Sequence, residues 1–220
     1  MRRRTTEVVV VGMMTVLFAT WGLLNGTAHA ATVRHLSFAE LCDRAELIVR
    51  GTVLASASHT QSSGRIVTHH RVRIAERHKP SQEADDDNKN ENDNDNEAPA
   101  QGARITVVTL GGTDGQRRQH VPGEVRLTRG DDAVLFLRRQ PGEGEHWRTV
   151  GLAQGALHGV DAVDENNEEV TQMEQRLSGL TLVNEDGNPV RDATALRFTD
   201  ERFREKLKRH FAGDDFAGDE

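Results

Sequence analysis

The 220-residue chain contains no tyrosine, two tryptophans and one cysteine, and aromatic residues make up only 4 % of it. So few flat rings leave little for nucleotide bases or sugar rings to stack on. A single cysteine excludes an intrachain disulfide, so stability has to come from packing. There is also no excess of basic residues. Asp and Glu number 35 against 28 Lys and Arg, a net charge of −7, which argues against a nucleic-acid or anionic-membrane partner. Arg71, Arg73 and Arg77 alternate along one segment and Arg138-Arg139 ends another. Both read as solvated strand faces.

The chain begins Met1-Arg2-Arg3-Arg4, continues into an apolar run from Val8 to Leu24, and reaches Ala28-His29-Ala30. A charged start, an apolar stretch and a small-x-small site predict a signal peptide over residues 1–30, cleaved after Ala30. The alternative, an uncleaved anchor, needs a run near the lower limit for spanning a bilayer. The leader carries three arginines and one glutamate, so its loss takes the net charge from −7 to −9. An exported, acidic protein is expected, periplasmic or extracellular, with no membrane span once the leader is gone. The remaining length suits one core with appendages.

Ser37-Phe38-Ala39-Glu40 is a capping-box pattern that predicts a short helix through Leu41 and Ala45. From Glu46 to Ser56 residues alternate, with Leu47, Val49, Val53 and Ala55 on one side, Arg50, Thr52 and Ser56 on the other, and Gly51 allowing a bulge. Arg65 to Arg77 reads as its hairpin partner, with Ile66, Thr68, His70, Val72 and Ile74 sharing a face. Residues 83–98 are Asp, Asn and Glu with little else, a composition too polar to offset its ordering entropy, so a disordered acidic insertion is expected there.

Short runs follow at Arg104 to Leu110, Glu124 to Leu127, Ala133 to Arg138, Trp147 to Leu152 and Ala156 to Val160, separated by turn signals that include Gly111 to Gly115. Such punctuation predicts a mainly β fold, a small barrel or sandwich, with Ala133 to Leu137 apolar enough to be buried on both sides. The barrel domain is placed at 31–160 and a C-terminal extension at 161–220. Within the extension, Glu168 to Met173 and Thr181 to Val183 are minor strands. An amphipathic helix at 200–211 carries Phe203, Leu207, His210 and Phe211 on one face.

The order of these pieces resembles a family of exported bacterial proteins of uncharacterised function. The residues that carry the likeness are Ala45 to Val53, Gly64 to Thr68, Gly111-Gly112, Val121-Pro122-Gly123, Val134 to Leu137 and Val150 to Gly155. The likeness spans about residues 36 to 160 and implies an OB-like or netrin-like barrel with a short N-terminal helix and a C-terminal amphipathic helix. Tissue inhibitors of metalloproteases share that scaffold, but their N-terminal zinc-binding cysteine has no counterpart at Ala31-Thr32. The resemblance lends no catalytic residue.

No constellation for chemistry emerges from the residues themselves. Cys42, on the short helix, is read as buried; an intermolecular disulfide and a reactive thiol are the alternatives. Nine histidines remain after the leader, without any metal-binding helical spacing. His69 and His70 point to opposite faces of a strand; His70, His120 and His158 could converge in a barrel, but scattered strand histidines are more often satisfied by hydrogen bonds. Ser178 lacks the glycine of a nucleophile elbow. Asp131-Asp132 sits in a turn, where Asp is favoured for local bonding. Asp85, Asp86, Asp87, Asp93 and Asp95 lack the order of a calcium loop.

No catalytic, cofactor-binding or metal site is therefore assigned, no cofactor is expected and the protein is not expected to be an enzyme. The expected function is a macromolecule-binding or adhesion-type module of the cell envelope, its partner an envelope or extracellular protein, with Leu127 and Trp147 at the rim of an apolar docking end. The alternatives are a secreted protease inhibitor or regulator, and a metal-binding protein using the acidic loop or the histidines.

Overall fold

A computed structural model describes residues 30–79, 99–140, 146–163, 167–190 and 194–213. The expected leader, apart from Ala30, and the acidic insertion at 83–98 lie outside the described residues.

The chain is mainly β. A capping box opens the first helix as its sequence requires: the Ser37 hydroxyl accepts from the Glu40 amide at 3.2 Å, and the Glu40 carboxylate accepts from the Ser37 amide at 3.0 Å. This helix, α1 (Phe38–Arg44), follows a short strand β1 (Ala31–Arg34). Then come β2 (Leu47–Thr60) and β3 (Ile66–Arg77), the expected antiparallel hairpin, and β4 (Arg104–Leu110). The Gly111 to Gly115 turn signal is in fact a miniature hairpin, β5 (Gly112–Asp114) with β6 (Arg117–Gln119). Glu124 to Leu127 forms no strand, although Val125 and Leu127 are buried.

Next are β7 (Asp132–Arg139), β8 (His146–Thr149), a 3₁₀ turn at Leu152–Gly155, and β9 (Ala156–Val163). The chain ends in β10 (Glu169–Gln175), β11 (Leu180–Val183), β12 (Arg197–Thr199) and α2 (Asp200–Ala212). The boundary expected at residue 160 falls inside β9, which pairs with β7 on one side and β10 on the other. The C-terminal extension therefore continues the same sheet.

Eight strands pair in the order β12-β10-β9-β7-β2-β3-β4-β8, and β8 returns to pair with β7. The pairings β7-β2-β3-β4-β8-β7 thus close on themselves. The β4–β8 contact is parallel and the other four are antiparallel.

β7 separates two apolar clusters, because alternate residues of a strand face opposite ways. Ala133, Leu135 and Leu137 join Leu47, Val49, Val53, Val72, Ile74, Ile105, Val107 and Trp147 on the side enclosed by the paired strands. Val134 and Phe136 face outward onto Ile48, Met173, α1 and α2. This strand is buried on both sides, as its composition predicts. Leu127 and Trp147, expected at an exposed rim, are 5 % and 3 % exposed and belong to the enclosed cluster. An apolar docking end built on them is ruled out.

α2 seals the outer cluster with Phe203 and Leu207, while Phe211 stays exposed past the end of the packed face. Its first turn is held by charge. Arg50 of β2 reaches Asp132 at 2.6 Å and Asp200 at 2.9 Å, and Arg204 reaches Glu76 at 2.8 Å. Asp200 there also suits the positive end of the helix dipole.

Candidate functional site

β2 carries two register shifts against β3, one between Arg50 and Gly51 and one between Val53 and Ala55. The first leaves an extra residue, Ala75, on β3 and the second an extra residue, Leu54, on β2, and each changes which side chains face inward. The second one overturns the simple alternation of the sequence. Ser56, not Ala55, lies opposite His70 and reaches its Nδ1 at 2.7 Å, while Ala55 is paired with Arg71.

On the enclosed side, this leaves a polar ladder at one end of the paired strands. His70 also meets the Thr109 hydroxyl through Nε2 at 2.9 Å, so both ring nitrogens are occupied. Ser58 and Thr68 share a hydrogen bond of 2.8 Å, and Thr68 donates to the Gly111 carbonyl at 2.7 Å. Burial pushes the His70 pKa down to about 4. A neutral, doubly hydrogen-bonded imidazole is a structural group and has no nitrogen left for a metal.

The outer side of the same strands is cationic. Arg71 and Arg73 are exposed on β3, and the cross-strand partner of Arg73 on β4 is Arg104, also exposed. Directly opposed like charges weaken a strand pair. Several other arginines are matched to acids: Arg34 with Glu185 at 2.9 Å, Arg197 with Glu174 at 3.0 Å, and Arg50 and Arg204 as above. Among the described residues, Arg71, Arg73 and Arg104 have no carboxylate partner.

One row of this face runs Ala55, Arg71, Thr106, His146 across β2, β3, β4 and β8. Beside it lie His69 and His59, whose ring centroids are 4.6 Å apart, and His69 is 4.9 Å from His146. Burial, with the charges of His59 and His146 adding to it, holds His69 below the usual imidazole range. The trio was invisible in the sequence because its members come from three strands. It is a ring cluster and not a chelate: among the described residues, no group of three or more His, Cys, Asp or Glu is placed to hold a metal ion.

The other candidates occupy separate places. Cys42 is fully buried, and burial pushes its thiol up to about 12. Asp131 accepts from the Thr128 amide and hydroxyl at 2.8 and 2.7 Å, the turn role expected of it, and Asp132 binds Arg50. Of the three histidines that a barrel could bring together, His120 and His158 share a cavity while His70 does not line it, and Ser178 lines the same one. The acidic loop aspartates lie outside the described residues. Among the described residues, no helix is long and apolar enough to cross a membrane. No family model matches the sequence, and neither the curated proteins nor the solved structures provide a match, so the reading of this face rests on its own residues.

Proposed function

We propose that the chain is an exported, non-enzymatic β-barrel of OB type that binds an acidic macromolecule of the cell envelope through the outer face of β2, β3, β4 and β8. The observation that carries this reading is the opposed pair Arg73 and Arg104, without a carboxylate partner among the described residues and with Arg71 beside them, in a protein whose net charge is −7. Arg34, Arg50, Arg197 and Arg204 are matched to carboxylates, whereas these three lie exposed side by side, at a cost in strand pairing that an incoming anionic surface removes.

The barrel assignment is supported by the order of pairing. Numbering the five ring strands along the chain, the first pairs with the second and fourth, the second with the third, and the fifth closes between the third, in parallel, and the fourth. OB folds are five-stranded Greek-key barrels that bind chain-like ligands on the face of their second and third strands, which here are β3 and β4. Export is supported by the leader pattern, and the resemblance to exported bacterial proteins points the same way. A non-enzymatic role fits the burial of Cys42 and the hydrogen bonds that engage His70 and Asp131.

The test is photo-crosslinking in cells from a reactive residue installed at Thr106, in the centre of the face. A discrete adduct with an acidic envelope component is expected, and it should disappear in the variant Arg71→Ser/Arg73→Ser/Arg104→Ser, while a probe at Glu201 on α2 gives none. Absence of an adduct at Thr106, or its persistence in the arginine variant, would refute the reading.

A further inference from the structure

The cavity shared by His120 and His158 lies apart from the arginine face. It has a volume of about 290 Å³, at the lower end of the range for small-molecule sites, ~300–1,000 Å³, and far too small for a macromolecule. The segment after β6 forms one wall with His120, Glu124 and Arg126. β9 contributes His158, and the β10–β11 connection contributes Arg176 and Ser178. The two loops meet closely, since a Cβ on Gly179 would sit 3.1 Å from the Gly123 amide nitrogen. Gly179 has φ +83°, a conformation suited to glycine, so the wall has little tolerance for a side chain there.

The charges around this space are unbalanced. Arg126 and Arg176 are exposed at the cavity and, among the described residues, neither forms an ion pair. The one carboxyl group present, Glu124, is already engaged: it accepts from the Leu110 amide at 3.0 Å and the Val125 amide at 3.3 Å and lies 4.0 Å from Arg148. Burial raises its pKa, which weakens it further as a counter-charge. His158 is only 4 % exposed, and its Nδ1 has no hydrogen-bond partner among the described residues. A buried polar atom without a partner costs free energy that a ligand can recover. The Arg176 charge is close enough to His158 to join burial in disfavouring a second positive charge on the imidazole. An anion between the two would reverse that repulsion.

We propose that this cavity is a binding site for a small oxyanion, a molecule presenting a carboxylate or phosphate group to Arg126 and Arg176, with the imidazoles of His120 and His158 and the Ser178 hydroxyl completing its hydrogen bonds. Guanidinium groups are suited to this because their planar fork matches two oxygens at once. The site takes no part in the macromolecular contact proposed above.

Inorganic phosphate and succinate serve as separate probes, titrated into the protein while the histidine ring resonances are followed by NMR. Saturable shifts of His120 and His158 are expected with at least one probe in the millimolar range, and the probe that binds identifies the group recognised. The variant Arg126→Gln/Arg176→Gln should bind roughly tenfold more weakly or worse, the loss expected of charge-assisted pairs. Arg71→Ser/Arg104→Ser should bind like the parent, so failure here and failure of the arginine face are separable. Ring resonances unmoved by both probes, or equal affinity in the Arg126→Gln/Arg176→Gln variant, would overturn the proposal.

Discussion

Phe38 and Phe203 meet edge to face, centroids 6.1 Å apart and planes at 89°, and so join the first helix to the last. Phe136 and Phe198 pack against Phe203 at 6.4 and 6.1 Å, and Lys206 holds its ammonium 5.6 Å above the Phe38 ring. Phe203→Ala removes the centre of this group from a fully buried position, and the expected loss is about 3–5 kcal/mol. Chemical denaturation should show it. Phe211→Ala, at the exposed end of the same helix, should change stability by less than about 0.5 kcal/mol.

Gln154 holds the N-terminal segment in place. Its Oε1 accepts from the Leu36 amide at 2.8 Å and its Nε2 donates to the Arg34 carbonyl at 2.9 Å. In Gln154→Ala the buried Leu36 amide loses its acceptor, a cost of about 1–3 kcal/mol. Hydrogen exchange should quicken at Leu36 and remain unchanged at Val134 and Leu135. Equal acceleration at all three would mean global destabilisation instead.

His70 makes the fold sensitive to acid. Its folded pKa, about 4, lies below the ordinary imidazole value of 6.5, so the unfolded chain takes up the proton first. The stability it contributes is complete above pH ~6.5 and is lost as pH falls toward 4, on the order of 3 kcal/mol in total. His78 and His158, displaced downward mainly by burial, push the same way. The His70 share is the difference between the parent and His70→Gln in denaturation midpoints at neutral and acid pH. A parent no more acid-sensitive than the variant would refute it.

At Gly51, a Cβ would stand 2.6 Å from the Arg73 carbonyl oxygen and 2.8 Å from the Val72 Cγ1. The backbone of β3 cannot retreat without disturbing the β3–β4 pairing. Gly51→Ala should therefore cost about 1–3 kcal/mol, the range for overpacking, whereas Gly187→Ala, where an added Cβ meets nothing within 4 Å, should cost less. Thermal unfolding of the two variants gives the comparison.

What was legible in the sequence is what depends on neighbours along the chain. The Ser37–Glu40 cap, the β2–β3 hairpin, the doubly buried β7 and the inward face of α2 all follow from local period and capping chemistry. The register shift at Val53 and Ala55 did not, because Ala55 and Ser56 are both small and neither side chain betrays which way it points. β1 and β12 were missed for another reason: four and three residues long, they exist only through partners far along the chain, Leu180 to Val183 for one and Gln172 to Glu174 for the other. Both candidate sites share that limit. Arg73 meets Arg104 and His69 meets His146 only once strands distant in sequence are laid side by side, and Arg126 comes to line one cavity with Arg176 only through the loops that the fold brings together.

The return of β8 to β7 also bears on how the protein behaves at high concentration. Closure gives β7 and β8 a partner on each side, and the outermost member of the large sheet, β12, has just three residues, one of them Arg197. Edge-to-edge polymerisation, the usual hazard of a β-rich chain, finds at β12 a template only three residues long.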